Sequence, residues 1–233
     1  MATSGTFTFN LDIADVIEEA YELAGWEFRT GYDAATARRS LNLIFSDWTN
    51  RGVNLWTIDQ QTQALTQGTA DYTLAASTVD ILQAVLRDTN SLDTRMDRIT
   101  IEAYLNFPDK SIEGRSTQWA LRRAISTPVL SLFPAPRNST DTFVYWRIRY
   151  IEDVTLSNQD PDVPKRFLPA LTTALAYQLS LKKPTNSLEP EAMKADKDKR
   201  VELRGLSIDM FEAAKGEDRD RSSLFLIPKM RRR

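Results

Sequence analysis

Ile13, Val16, Ile17, Ala20, Tyr21 and Ala24 recur at spacings of three and four, while Asp15, Glu18, Glu19 and Glu22 fall on the opposite arc. That pattern predicts an amphipathic helix, with Asn10 or Asp12 as its N-cap and Gly25 as its stop. A second helix is predicted from about Asp33 to Asn50, because Ala37, Leu41, Ile44 and Trp48 form one stripe and Gly52 follows. The link EFRTGY is short, so the two helices are expected to form an antiparallel hairpin with their stripes buried together.

From Leu55 the pattern changes to short strands and turns. TIDQQTQALTQGTADYTLA reads as two strands around a turn at Gly68. STVDILQAVLRD reads as a strand, but Val79, Ile81, Val85 and Leu86 mix periods and leave its register open. ISTPVLSLFPAP and DTFVYWRIRYIED read as a hairpin joined through Pro134 to Asp141. In its second strand Phe143, Tyr145, Arg147, Arg149 and Ile151 share one face, and Val144, Trp146, Ile148 and Tyr150 the other.

Pro164 then opens a helix carrying Phe167, Leu168, Leu171, Leu175 and Leu179, with Ala170, Ala174 and Tyr177 on a neighbouring face and Pro184 at its end. Apolar residues on more than one face predict a helix packed on two sides, bridging the N-terminal hairpin and the β-module. Leu188 to Lys215 reads as helix again, but Lys194 to Arg204 is charged nearly all round, so this stretch needs a neighbour or a ring to hold it.

The order of elements predicts an α+β fold: an α-helical bundle, made of the N-terminal helix hairpin and C-terminal helices, with an inserted antiparallel β-module. The expected divisions are residues 1–54 for the hairpin, 55–160 for the mainly β module, 161–216 for the C-terminal helices and 217–233 for an extended basic arm. An apolar share of 42% over 233 residues is enough for a core. The stretch from Ala174 to Leu181 is broken by Gln178 and Ser180 and falls short of the roughly 20 residues of a membrane span. MATSGTFTFNLD has no basic start followed by an apolar run, so no secretory signal and no membrane anchor are expected.

The chain has neither histidine nor cysteine. That removes disulfides, thiolate nucleophiles, the commonest general base and the commonest transition-metal ligands. No phosphate-cradling, dinucleotide-binding, serine-hydrolase or zinc-protease motif is present. Asn158, Asp160 and Asp162 alternate like the start of a calcium loop, but Val163 and Pro169 stand where Gly and Glu are needed. Asn138-Ser139-Thr140 reads as a turn. A carboxylate pair such as Glu102 and Glu113 is expected by chance among 32 acids. No catalytic, cofactor or metal site is therefore expected, and the chain is read as no enzyme.

Charge is unevenly placed although the net value is only −2. Residues 1–60 hold nine acids against four arginines, while Lys229, Arg231, Arg232 and Arg233 close the chain with no acid near them. The terminal Leu224, Phe225, Leu226, Ile227 and Met230, with Arg231, Arg232 and Arg233, read as a docking arm whose apolar part inserts into another subunit. Arg122, Arg123, Arg147 and Arg149 are candidates for ion pairs across a subunit boundary.

ARRSLNLIFSDWTNRGVNLW, GTADYTLA, PVLSLFPAP, FVYWRIRY and VPKRFLPALTTALAYQLSLKK together resemble the head-to-tail adaptor, or connector, proteins of tailed bacteriophages, including the tail tubular protein A type of short-tailed phages. The resemblance implies a structural virion protein at the head-tail junction, made in the host cytoplasm. It implies a homo-oligomeric ring, commonly of twelve copies, between the portal protein and the tail nozzle or a tail tubular protein B-like protein, extending the DNA channel. A tail fibre is a further implied partner, and DNA would pass without sequence-specific binding. It also implies that the C-terminal arm meets the portal. Two other classes stand beside this one: a carboxylate-based cell-wall hydrolase and a nucleic-acid-binding module.

Overall fold

A computed structural model describes residues 5–6, 8–27, 31–53, 56–182 and 190–222. The chain forms two compact units, one from Met1–Val53 with Ile151–Arg233 and the other from Asn54–Tyr150. Helices in the first and mainly antiparallel sheets in the second give the α+β fold that the pattern predicts.

The helical unit holds α1 (Ile13–Ala24), α2 (Gly31–Asn50), α4 (Leu168–Lys182) and α5 (Pro190–Ser222); the short α3 (Ile101–Leu105) lies in the other unit. Asp12 is the N-cap of α1, its Oδ1 accepting the Asp15 N–H at 2.8 Å. Gly25 ends the helix at φ 78°, where its missing Cβ removes the left-handed penalty. Asp12→Ala is expected to cost about 1 kcal/mol of stability, the usual worth of an N-cap, as a lowered thermal midpoint.

The expected α1–α2 hairpin is not how these helices bury their stripes. Each packs chiefly on α4, and they touch one another little. The reason lies in α4, which buries Leu168, Ala170, Leu171, Leu175, Ala176 and Leu179 on several faces. A helix apolar nearly all round has no side to give to water and takes the centre. Its buried hydroxyls are satisfied within the helix, Thr173 Oγ1 donating to the Pro169 carbonyl at 2.8 Å and Ser180 Oγ to that of Tyr177 at 2.7 Å. The sequence pattern assigned the second side of α4 to the β-module, but α5 occupies it. Residues 151–160, expected with the β-module, cluster with the helical unit. The Gln159 and Ser157 carbonyls accept the Ile13 and Ala14 N–H groups at 2.9 Å, and the Val154 N–H donates to Asn42 Oδ1 at 2.8 Å. They supply partners to the otherwise orphaned first amides of α1.

The β-unit has strands β1 (Ile58–Ala64), β2 (Asp71–Thr73), β3 (Thr78–Arg87), β4 (Asp93–Arg95), β5 (Asp97–Arg98), β6 (Glu113–Gly114), β7 (Gln118–Arg122), β8 (Val129–Phe133), β9 (Ala135–Pro136) and β10 (Thr142–Arg149). They form two four-stranded sheets, β1-β10-β3-β4 and β2-β8-β7-β5, and the small pair β6-β9. Ile81, Leu86 and Phe143 from the first sheet share one buried cluster with Trp119, Leu130 and Leu132 from the second.

The expected hairpin of β8 with β10 is therefore corrected. The two lie in different sheets, β8 between β2 and β7 and β10 between β1 and β3. Between them Pro134 and Pro136 lack the N–H that would continue a ladder, and β9 pairs instead with β6. The mixed period of β3 also has a cause. Trp146 pairs with Gln83 and Arg147 with Ile81, leaving Leu82 unopposed, and a second shift leaves Val79 unopposed. The bulge lets Ile81 and Ala84 both point inward although three residues apart.

Candidate functional site

The proposed arm from Leu224 to Arg233 lies outside the described residues. Of the four arginines read as boundary candidates, Arg147 is not available. It sits on the buried face of β10, its side chain only 9% exposed. Its Nε and a terminal nitrogen donate to the two Asp59 carboxylate oxygens at 2.8 and 3.1 Å, and its other terminal nitrogen to Thr78 Oγ1 at 2.9 Å and Ser77 Oγ at 3.2 Å. A guanidinium whose fork is filled in this way is a pin inside one unit, not a group kept for a neighbour. The hydrogen bond from Arg147 holds the Asp59 carboxyl below its ordinary pKa, against the upward push of burial.

Arg123 binds Asp80 at 2.9 Å, and Asp80 also takes Arg98 at 2.9 Å, so that carboxylate is shared by two cations. The Arg98 guanidinium lies 5.3 Å from the centre of the Trp119 ring. Arg149 donates to the Tyr150 carbonyl at 3.0 Å. Arg122, at the end of β7, is exposed and makes no ion pair among the described residues. Just beyond it Ile125 stands fully exposed on the β7–β8 connection. The segment ISTPVLSLFPAP, which reads as strand from Ile125, forms β8 only from Val129, and Ile125 is left outside it.

The remaining polar motifs are structural. Asn138 Oδ1 accepts the Thr140 and Asp141 N–H groups at 3.3 and 3.1 Å, a side-chain turn, and Ser139 Oγ accepts the Gln67 N–H at 3.0 Å. Asp162 Oδ2 accepts the Glu152 N–H at 3.0 Å. Glu102 is exposed on α3, while Glu113 Oε2 accepts from Gln67 Nε2 at 2.9 Å. Among the described residues no group of three or more Asp or Glu side chains is placed to hold a metal ion. Nor is any described helix long and apolar enough to cross a membrane.

On the helical unit the outer row of α1, Asp15, Glu18, Glu19 and Glu22, is exposed and has no cation partner among the described residues. Tyr21 faces the other way, its hydroxyl pKa pushed up to about 12 by burial and then by Asp33. The arrangement offers charged faces, and two hydroxyls lie against charged groups: Ser131 Oγ donates to Asp71 Oδ1 at 2.6 Å, and Lys182 Nζ donates to Ser40 Oγ at 2.5 Å.

The family model described as SU10 adaptor protein matches residues 12–224. No curated protein matches the chain significantly. Among solved structures, a chain from the neck of an empty GTA particle, computed with C6 symmetry, is 15% identical. That likeness covers 75% of this chain and 82% of the other, at a TM-score of 0.28, too loose to establish a common arrangement.

Proposed function

The chain belongs to the SU10 adaptor protein family, and we propose that it works at a phage head-to-tail junction as a ring held between the portal protein and the tail nozzle, extending the DNA channel. The family match over residues 12–224, nearly the whole chain, carries this reading. It is a structural role played through surfaces, and the side chains support it: the buried Arg147 is engaged within its own unit, and exposed charge lies in rows. A tail tubular protein A-like place in a short-tailed particle, twelve copies, a tail tubular protein B-like or fibre partner below, and an arm from Leu224 to Arg233 reaching the portal are the finer parts of the same proposal.

A ring subunit covers roughly 800 Å² at each neighbour contact, and in a head-to-tail assembly every copy has both contacts filled only when the ring is closed. The purified chain is therefore expected to run as a monomer or loose oligomer, and as one closed species once portal rings are added. Light scattering coupled to size exclusion reads this directly. Cutting the chain after Ser223 is expected to weaken portal capture at least tenfold and leave both folded units intact. Absence of any portal-dependent species across salt conditions, or steady turnover of peptidoglycan by the lone chain, would sink the reading.

A further inference from the structure

Of the central helix α4, the stripe Ala174, Tyr177 and Gln178 is left only partly covered, with Leu181 exposed beyond it. It forms the floor of a groove of about 190 Å³ whose walls are α2, through Asp47 and Arg51, and α5, through Arg204 and Ile208. No α1 residue lines this groove, although α1 packs on α4. The groove and the outer row of α1 thus lie on different sides of the same helix.

The α5 wall carries more apolar surface than its own unit covers. Lys197, Val201, Arg204 and Ile208 follow one another at spacings of four, three and four, which is one stripe of a helix. Val201 is 65% exposed and Ile208 42%. Lys197 and Arg204 make no ion pair among the described residues, whereas Arg51 is paired with Asp47 at 2.8 Å. Only Arg204 and Ile208 of this stripe line the groove, and Lys197 and Val201 continue it toward the start of α5, so the flank joins apolar surface to positive charge that makes no ion pair among the described residues. The α1 row is its electrostatic complement: Asp15, Glu18, Glu19 and Glu22 have no cation partner among the described residues. The charged rows also match in length, since Glu22 lies seven positions beyond Asp15 and Arg204 seven beyond Lys197, about 10 Å of helix in each.

We propose that the acidic ridge of α1 on one copy seats in the α2–α5 groove of the next copy of this chain. Asp15, Glu18, Glu19 and Glu22 then face Lys197 and Arg204, and Val201 and Ile208 are covered. Ridge and groove are different surfaces, so each copy gives its ridge to one neighbour and its groove to the other. Such a head-to-tail contact closes into a ring when its rotation fits. This deepens, and rests on, the ring reading above.

The absence of native cysteine makes the contact testable by cross-linking. Full-length chains carrying Glu19→Cys with Val201→Cys are expected, on mild oxidation of the portal-assembled ring, to give a covalent ladder rising one chain at a time. An equal mixture of the two single variants should stop at dimers. A second arm uses charge: Lys197→Glu with Arg204→Glu should raise the protein concentration needed for assembly at least tenfold. Adding Glu18→Lys and Glu22→Lys to the same chain should restore most of that loss. All four positions are exposed, so circular dichroism should not change. If the wild-type ring forms, yet the double-cysteine chain cross-links no more than Glu19→Cys alone and both charge variants assemble like wild type, the contact is overturned and the ring reading survives. If wild type forms no ring even with portal, both fail together.

Discussion

Replacing Phe211 by alanine is expected to release α5 from the helical unit, at a cost of about 3–5 kcal/mol. The helix runs from Pro190 to Ser222, yet among its described side chains only Leu203, Phe211 and Ala214 are buried apolar anchors. Phe211 does most of the anchoring. Its ring centre lies 5.3 Å from that of Trp48 on α2 and 6.3 Å from that of Phe167, just before α4, and it is 2% exposed. The Arg51 guanidinium and the Lys215 ammonium lie 5.3 and 5.6 Å from the same ring, while Lys215 Nζ donates to the Arg51 carbonyl at 2.9 Å. Alanine leaves a cavity against two aromatic rings that cannot collapse independently, and it removes the face over which both cations sit. Hydrogen exchange should show amides of α5 losing protection while those of β10 and β3 keep theirs. Met193→Ala, at an exposed position of the same helix, should change nothing. Unchanged protection of α5 in the Phe211 variant would mean that Leu203 and Ala214 suffice to hold it. Because α5 forms one wall of the groove, the variant is also expected to lose ring assembly.

The sequence was most readable where the physics is local. The stripe of α1, its cap and its Gly25 stop are set by neighbours within four residues; the stripe and the stop stand in the structure as the pattern predicts, and of the two cap candidates, Asn10 and Asp12, the helix uses Asp12. Partnership is not local. A stripe says which face is buried but not against what, and so the α1 and α2 stripes read as a hairpin. The clue to the actual arrangement was in α4, whose lack of a polar face marks a central helix. Strand alternation behaves the same way. It placed Phe143, Tyr145 and Arg147 on one face of β10, which the structure bears out, yet it could not say that β8 belongs to another sheet. The bulge opposite Trp146 hid the period of β3, because one unopposed residue shifts every later side chain to the other face. Arg147 was legible as inward-facing and was still assigned to a subunit boundary. A cation on an apolar face needs a carboxylate, and its carboxylate lies 88 residues away in sequence, beyond the reach of any spacing rule.

That partnership carries the second large effect. Asp59→Ala is expected to destabilise the β-unit by about 3 kcal/mol, the lower end of the cost of stranding one member of a buried ion pair. The figure sits low because Asp59 is 33% exposed and water screens part of the pair, while Arg147 has no such access at 9%. Without Asp59 the guanidinium keeps only the Ser77 and Thr78 hydroxyls, two neutral acceptors for a full charge. Arg147→Met combined with Asp59→Leu should cost less than Asp59→Ala alone, since the penalty is the orphaned charge and not the missing bond. Urea unfolding of the three chains measures both numbers, and a double variant worse than the single one would refute the assignment. The pH dependence has a definite sign. The folded carboxyl titrates below its ordinary value of 3.8, so its contribution is present above that pH and is lost as pH falls through the lower folded value. Wild type should therefore lose more stability than Asp59→Asn between pH 7 and pH 3, because only wild type has a carboxylate there to protonate.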